Sequence, residues 1–199
     1  MDIRLLVKLT SRAWSLNILA LMHQGVPGRQ APLLAATSAS RTSFASSLDH
    51  LVELKLLERN PGHGHPLRPE FRLTKTGVIA AQTANRIAIA VPDDRDFALL
   101  RRSWTVPILA LTETPQRFSA IRLTLGTITD RALSTSLYKL EEREWLRRDI
   151  DTSIRVPFPI YQAVNKGVDI NRAIDLSAQE AAADRIRGAC PRGPGTGFA

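Results

Sequence analysis

Two ten-residue stretches, RAWSLNILAL at residues 12–21 and RSWTVPILAL at residues 102–111, decide how this sequence folds. Three apolar residues of each stretch coincide at an offset of 90 positions: Trp14, Ile18 and Leu21 in the first, and Trp104, Ile108 and Leu111 in the second. Their i, i+4, i+7 spacing places them on one face of a helix. Each stretch therefore predicts the buried side of an amphipathic helix.

The repetition extends along about 65 residues of each half. LDHLVELKLLER from Leu48 matches LYKLEEREWLRR from Leu137 at an offset of 89. The offset then returns to 90, where the matching residues are Pro69, Phe71 and Gly77 with Pro159, Tyr161 and Gly167. So long an ordered series of matches predicts the duplication of a domain.

Each half also predicts the same order of elements. The predicted helices lie at about 12–23, 29–36 and 41–56 in the first half, and at about 103–112, 119–125 and 130–146 in the second. Ser40 and Thr129 can cap the third helices, and a Pro-rich connection between two short extended segments follows each of them. Three helices and a hairpin describe a winged helix-turn-helix. The predicted fold class is therefore mainly α with small β-hairpin wings, in two tandem winged helix-turn-helix domains.

The segment between the halves predicts the domain boundaries. VIAAQTANRIAIA reads as a connector helix over 78–90, and VPDD breaks it. The predicted regions are an N-terminal winged-helix domain with the connector helix at 1–91, a C-terminal winged-helix domain with a terminal helix (169–187) at 92–187, and a flexible tail at 188–199.

The second half resembles the HxlR-type winged-helix regulators, which are relatives of the MarR group. The shared elements are Trp104 with PILAL, RFSAI at 117–121, LSTSLYKLEE at 133–142, and a Pro-rich wing that closes on an aromatic residue and Gly167. The first half is a more diverged relative, although FRLTKTG at 71–77 is similar to the family's passage from strand to helix. The resemblance covers about 12–82 and 102–170.

This resemblance implies a DNA-binding transcription regulator. Two features depart from the family pattern. The turns before the wings read LKLL and REWL where relatives commonly carry glycine. This chain also has two such domains, whereas family members are single-domain dimers. In those dimers the terminal helices build the interface, so the connector and terminal helices here could make it within one chain. An intramolecular pseudo-dimer and a homodimer both stay open.

The outward faces of the third helices are the candidates for reading DNA, because a major groove about 12 Å wide admits one helix. Phe44, Leu48 and Leu51 should face the core of the first domain, and Leu133, Leu137 and Leu140 that of the second. The candidates on the opposite faces are Arg41, Thr42, Ser43, Ser46 and His50, and then Arg131, Ser134, Thr135, Tyr138 and Lys139. Asp49 shares the first of these faces, where phosphates would repel it unless it accepts from a cytosine amine.

The wings add two arginines, Arg68 and Arg155, which the resemblance implies contact the DNA backbone or the minor groove. His63 and His65 lie on the first wing without an adjacent cysteine or carboxylate, so they form an incomplete metal site. We expect no metal, no cofactor and no catalytic residue.

Charge and composition agree with a phosphate-bearing partner. The net charge is +8, with 11 basic and 5 acidic residues in 1–90 and 16 and 14 in 91–199. On this count the first half would carry more of the salt-dependent affinity. The single cysteine, Cys190, excludes an internal disulfide. Without a secretory signal or a membrane-length apolar run, we expect a cytoplasmic, nucleoid-associated protein with no membrane partner.

The sequence thus predicts a sequence-specific regulator that binds double-stranded DNA at an asymmetric site, with RNA polymerase as a further candidate partner. The alternative is a winged-helix protein-interaction adaptor that acts on the transcription machinery, which would require an apolar third-helix face. An enzyme is disfavoured, because the chain has no Gly-rich phosphate loop and no GxSxG motif.

Overall fold

The structure is a computed structural model that describes residues 1–60, 69–153 and 155–174. The first unit consists of α1 (Ile3–Thr10), α2 (Ser15–His23), α3 (Gln30–Thr37), α4 (Arg41–Glu53), β1 (Leu57–Arg59), β2 (Phe71–Leu73) and α5 (Lys75–Ala90). The second unit consists of α6 (Asp94–Leu100), α7 (Thr105–Leu111), β3 (Gln116–Arg117), α8 (Phe118–Leu125), α9 (Asp130–Glu142), β4 (Leu146–Asp151), β5 (Phe158–Ala163) and α10 (Lys166–Ile174). The predicted class, mainly helical with small antiparallel hairpins as in a winged helix, is confirmed.

The two hairpins share one register. In the first wing Leu57 lies opposite Leu73, and in the second wing Leu146 lies opposite Ala163. These pairs coincide at the offsets of 89 and 90 found in the sequence. The second wing is larger because β3 adds a third strand on β5, whereas the first unit has an isolated bridge between Arg29 and Glu70 at the corresponding place.

The helices predicted as the third of each domain are α4 and α9, and both begin at the predicted caps. Ser40 Oγ accepts a hydrogen bond from Ser43 N at 3.3 Å, and Thr129 Oγ1 accepts one from Ala132 N at 3.2 Å. α4 ends three residues and α9 four residues before its predicted end. The reason is the backbone of Lys55 and Glu144, which take the left-handed conformation with φ of 56° and 55° and thereby turn the chain towards the wing.

The residues predicted to face inward are buried. Phe44, Leu48 and Leu51 pack in the core on the α4 side, and Leu133, Leu137 and Leu140 do so on the α9 side. Trp145 is also buried, while Trp14 and Trp104 are half-buried and pack against the core from its edge. All of them belong to one hydrophobic cluster that spans both units.

The units join through the helices at their ends. α5 packs against α2 of its own unit and against α10 of the second, and α1 reaches α7 and α8. Arg86 Nε donates to the carbonyl oxygen of Ala173 at 2.9 Å and so links α5 to α10. The connector helix predicted over 78–90 begins three residues earlier, at Lys75. The terminal helix predicted over 169–187 is described only as far as Ile174, and the tail at 188–199 lies outside the described residues.

Helices α1 and α2 are both rich in apolar residues. No single helix in the described ranges has the length and hydropathy needed to cross a membrane. Taken together, α1 and α2 reach that length and composition, but they meet at an angle of 103°. Leu6, Leu9, Ile18 and Leu19 are completely covered by the protein itself.

Candidate nucleic-acid interface

The outward face of α9 is open to solvent. Arg131, Ser134, Thr135 and Tyr138 are exposed, and Lys139 is half-buried. The Thr135 hydroxyl donates to the carbonyl oxygen of Arg131 at 2.8 Å, which fixes its orientation along the helix. Neither Arg131 nor Lys139 forms an ion pair with any residue the structure describes. Their charges are therefore available to an external anion.

The corresponding face of α4 is polar but carries fewer free charges. Arg41, Thr42 and Ser43 are exposed and Ser46 is half-buried. Ser43 contributes to the helix cap, since its backbone N–H and its hydroxyl both contact Ser40 Oγ. Asp49 is exposed on the same helix, as the sequence predicted.

His50 is held against the protein. Its Nε2 lies 2.8 Å from the carbonyl oxygen of Lys8, to which it donates, and 3.1 Å from Ser11 Oγ. Its Nδ1 lies 3.7 Å from a carboxylate oxygen of Glu53. The helical pattern of α4 places His50 outward, but the end of α1 binds its ring. His50 therefore does not line the first candidate surface with Thr42.

The structure describes one of the two predicted wing arginines. Arg155 is exposed between β4 and β5, whereas Arg68, together with His63 and His65, lies outside the described residues. The second wing is stiffened by the Arg117 guanidinium, which lies 3.6 Å from the centre of the Phe158 ring. At its tip, hydrogen bonds from the Ser153 hydroxyl and backbone N–H lower the pKa of Asp151, so this carboxylate stays negative beside the loop.

The turns that precede α2 and α7 contact each other, and we call residues 10–14 and 101–104 the central junction. The Thr10 hydroxyl donates to the carbonyl oxygen of Ser103 at 2.8 Å. The Arg101 guanidinium lies 4.5 Å from the centre of the Trp14 ring. Because α1 and α6 lead into these turns, the junction fixes the two units against each other.

A groove lies beside each half of the central junction and is bordered by the third helix of that unit. The first groove has a volume of about 330 Å³ and the second of about 370 Å³. Five lining residues of the first are Arg12, Trp14, Thr42, Ser46 and Ser47, and their counterparts in the second are Arg102, Trp104, Arg131, Thr135 and Ser136. These pairs follow the offsets of 90 and 89. The grooves are therefore equivalent places in the two units.

The comparison with protein families identifies the second unit. The family described as HxlR-like helix-turn-helix matches residues 99–182. This segment is an HxlR-like domain. Its described part includes α7 to α10, and hence the open face of α9, the second groove and the larger wing.

Two solved structures of the transcriptional regulator YodB from B. subtilis are similar to the chain that contains this HxlR-like domain. The reduced form is 26% identical and covers 50% of this chain and 93% of its own, with a TM-score of 0.36. The diamide-treated form is 24% identical and covers 48% and 92%, also with a TM-score of 0.36. No curated protein matches the sequence.

The sequence did not point to Arg12 and Arg102 as site residues. Both precede the apolar stretches and show no helical periodicity with the third helices. Only the folding of the turn against α4 or α9 brings each of them beside the predicted candidates. Their equal position in the two repeated stretches was the one available signal.

Proposed function

We propose that the protein is a sequence-specific transcription regulator that binds double-stranded DNA with two winged helix-turn-helix units of one chain. The observation that carries the proposal is an HxlR-like domain whose third helix, α9, presents a polar and cationic face to solvent. A DNA-binding transcription regulator is the function that this family supports. The use of a second unit in tandem is our extension.

The mechanism is binding, with α9 and α4 as the helices that enter major grooves. Arg131 can donate two hydrogen bonds to guanine, and the Tyr138 ring can contact a thymine methyl group. Ser134 and Thr135 can bond base edges or phosphates, while Lys139 and Arg155 neutralise phosphates. In the first unit, Arg41 at the start of α4 would hold the backbone beside Thr42.

The single chain would act as a pseudo-dimer. In its support, α5 packs on α10, α1 packs on α7 and α8, and the central junction joins the two turns. We expect one chain per DNA site, measured as the mass of the complex by light scattering. Two chains on one site would favour the homodimer instead.

The adaptor alternative has less support. A helix that docks onto a protein presents an apolar face, and in the described part of the chain the outward faces of α4 and α9 are polar apart from Ala45 and Tyr138. The proposal is tested by selecting bound sequences from random duplex DNA at two salt concentrations. We expect one enriched asymmetric site with unlike halves, and no enrichment would contradict the proposed function.

Replacing Arg131 with alanine should weaken binding to the selected site by about 1–3 kcal/mol and relax the preference for one base pair. The guanidinium is exposed on α9 and free of ion pairs among the described residues, so the fold should not change. Fluorescence anisotropy with the selected duplex and its single-base variants measures both effects.

The control for this variant is Arg172→Ala, which removes the same charge from the exposed face of α10. If Arg131→Ala keeps both the affinity and the base preference of the wild type, the assignment of α9 as the reading helix is wrong.

A further inference from the structure

We propose that the second groove is the principal phosphate-binding site of this protein, and that Arg12 and Arg102 are a matched pair of residues that hold the DNA backbone between the two reading helices. This inference rests on the proposed function. It adds the residues that contact the DNA backbone and assigns more of the salt-dependent affinity to the second unit than to the first.

The second groove gathers positive charge that no described residue neutralises. Arg102, Arg131 and Lys139 line it, and none of the three forms an ion pair in the described ranges. The Thr135 and Ser136 hydroxyls donate to backbone carbonyl oxygens of α9, so the cations are the principal donors that remain for a ligand.

A neighbouring groove extends this cationic surface away from α9. It has a volume of about 220 Å³, shares Arg102 and Lys139 with the second groove, and adds Arg95 and Arg143 together with one carboxylate, that of Glu142. Arg143 is paired with Asp96 at 3.0 Å, whereas Arg95 has no ion pair with a described residue. The unpaired cations of the two adjoining grooves, Arg95, Arg102, Arg131 and Lys139, can engage more than one phosphate of a polymer, because a duplex carries one negative charge per about 1.7 Å of its axis.

The first groove has the same position but a different chemistry. Among the described residues, Arg12 is the one cationic residue that lines it, and Thr42 stands where the second groove has Arg131. The counterpart of Lys139 is His50, whose ring is held by Lys8 and Ser11. This groove can therefore engage a phosphate through a single arginine and the surrounding hydroxyls.

Arg12 and Arg102 belong to the two turns that meet at the central junction. Ser103, the residue after Arg102, accepts the hydrogen bond from Thr10, and the ring of Trp14 lies under Arg101. A duplex that spans α4 and α9 would pass this junction between its half-sites. Contacts to phosphates do not depend on the bases, so cations at the junction position the protein without adding sequence preference.

The net charges of the two halves suggest that the first unit contributes more of the salt-dependent affinity for DNA. The positions of the unpaired cations in the structure favour the second unit instead. The first half has the larger net charge, but the second groove has the larger number of free cations beside a reading helix. We therefore infer that the HxlR-like second unit supplies most of the salt-dependent affinity.

The test measures the dissociation constant of the full chain for a duplex of random sequence between about 50 and about 200 mM NaCl, and then the slope of log affinity against log salt. Arg102→Ala and Arg12→Ala should each lower the magnitude of that slope by about 1, and Arg102→Ala/Lys139→Ala by about 2. Arg172→Ala, on α10, should leave the slope unchanged. Arg102→Gln provides a second variant, and circular dichroism verifies that each variant is folded.

The possible results separate the two proposals. If the wild type binds duplex DNA but Arg102→Ala and Arg102→Gln keep its slope, the phosphate site is wrong and the proposed function stands. A first-groove variant with a larger loss than the second-groove double variant would overturn the unequal share. A wild type that binds no duplex would overturn both proposals. Replacing chloride by inorganic phosphate at equal ionic strength should change DNA affinity little, and a tenfold loss would assign the groove to a small phosphate ion instead.

Discussion

Replacing Gly167 with alanine is expected to lower the free energy of unfolding by about 3 kcal/mol. A Cβ atom at this position would lie 1.9 Å from the carbonyl oxygen of Trp145, well inside van der Waals contact. That oxygen also accepts a hydrogen bond from Val164 N at 3.0 Å, so it cannot move without loss of the contact between β4 and the chain that leads into α10. Urea unfolding followed by far-UV circular dichroism measures the change.

Two further glycine variants separate the steric cause from a backbone effect. Gly77 has the same close approach in the first unit, 1.9 Å from the carbonyl oxygen of Leu56, so Gly77→Ala should cost a similar amount. Gly25 has a φ of 91° with open space around it, and Gly25→Ala should cost only about 1 kcal/mol from backbone strain. Equal losses for Gly25→Ala and Gly167→Ala would contradict the steric explanation.

These glycines show how far the repeated sequence could predict the fold. The match of Gly77 with Gly167 at an offset of 90 indicates that the two positions are equivalent. It does not explain why glycine is needed there. The reason is tertiary: the first turn of each helix after the wing lies directly on the carbonyl group that begins the wing. The caps at Ser40 and Thr129 were predictable, because a hydroxyl side chain just before an amphipathic pattern is itself a local signal.

The ends of the third helices were not predictable in the same way. Lys55 and Glu144 adopt a left-handed conformation that glycine usually marks, so the sequence had no visible stop and the predicted helices were too long. Likewise neither α1 nor α6 was predicted. Strand β3 has two residues and exists because β5 pairs with it. Such elements depend on contacts far along the chain.

In the candidate site, too, features set by local periodicity were predictable and features set by tertiary packing were not. The outward face of α9 follows from helical periodicity, and each of its predicted residues is at least partly accessible. The grooves, the central junction and the engagement of His50 depend on how α1 and the two turns pack, which periodicity within one helix does not reveal. For this reason the sequence predicted the accessible candidates on α9 but not the neighbouring arginines.

Truncating Leu6 to alanine is the second large effect, with an expected loss of about 3 kcal/mol in the free energy of unfolding. Leu6 is completely buried in α1, and α1 packs on α7 and α8 of the second unit as well as on α2 of its own. Because one hydrophobic cluster spans both units, the variant should still unfold in a single transition, shifted to lower urea concentration. Tryptophan fluorescence, dominated by two tryptophans of the second unit, and far-UV circular dichroism should therefore give the same midpoint.

The matched control is Leu123→Ala, because Leu123 is 83% exposed on α8 and its truncation removes the same atoms from solvent contact rather than from the core. This control should change the stability by no more than about 0.5 kcal/mol. If Leu6→Ala instead splits unfolding into two transitions and leaves the fluorescence midpoint at its wild-type value, α1 does not couple the units. The reading helices would then lack a fixed spacing, and a single chain could not act as a preformed pseudo-dimer on an asymmetric site.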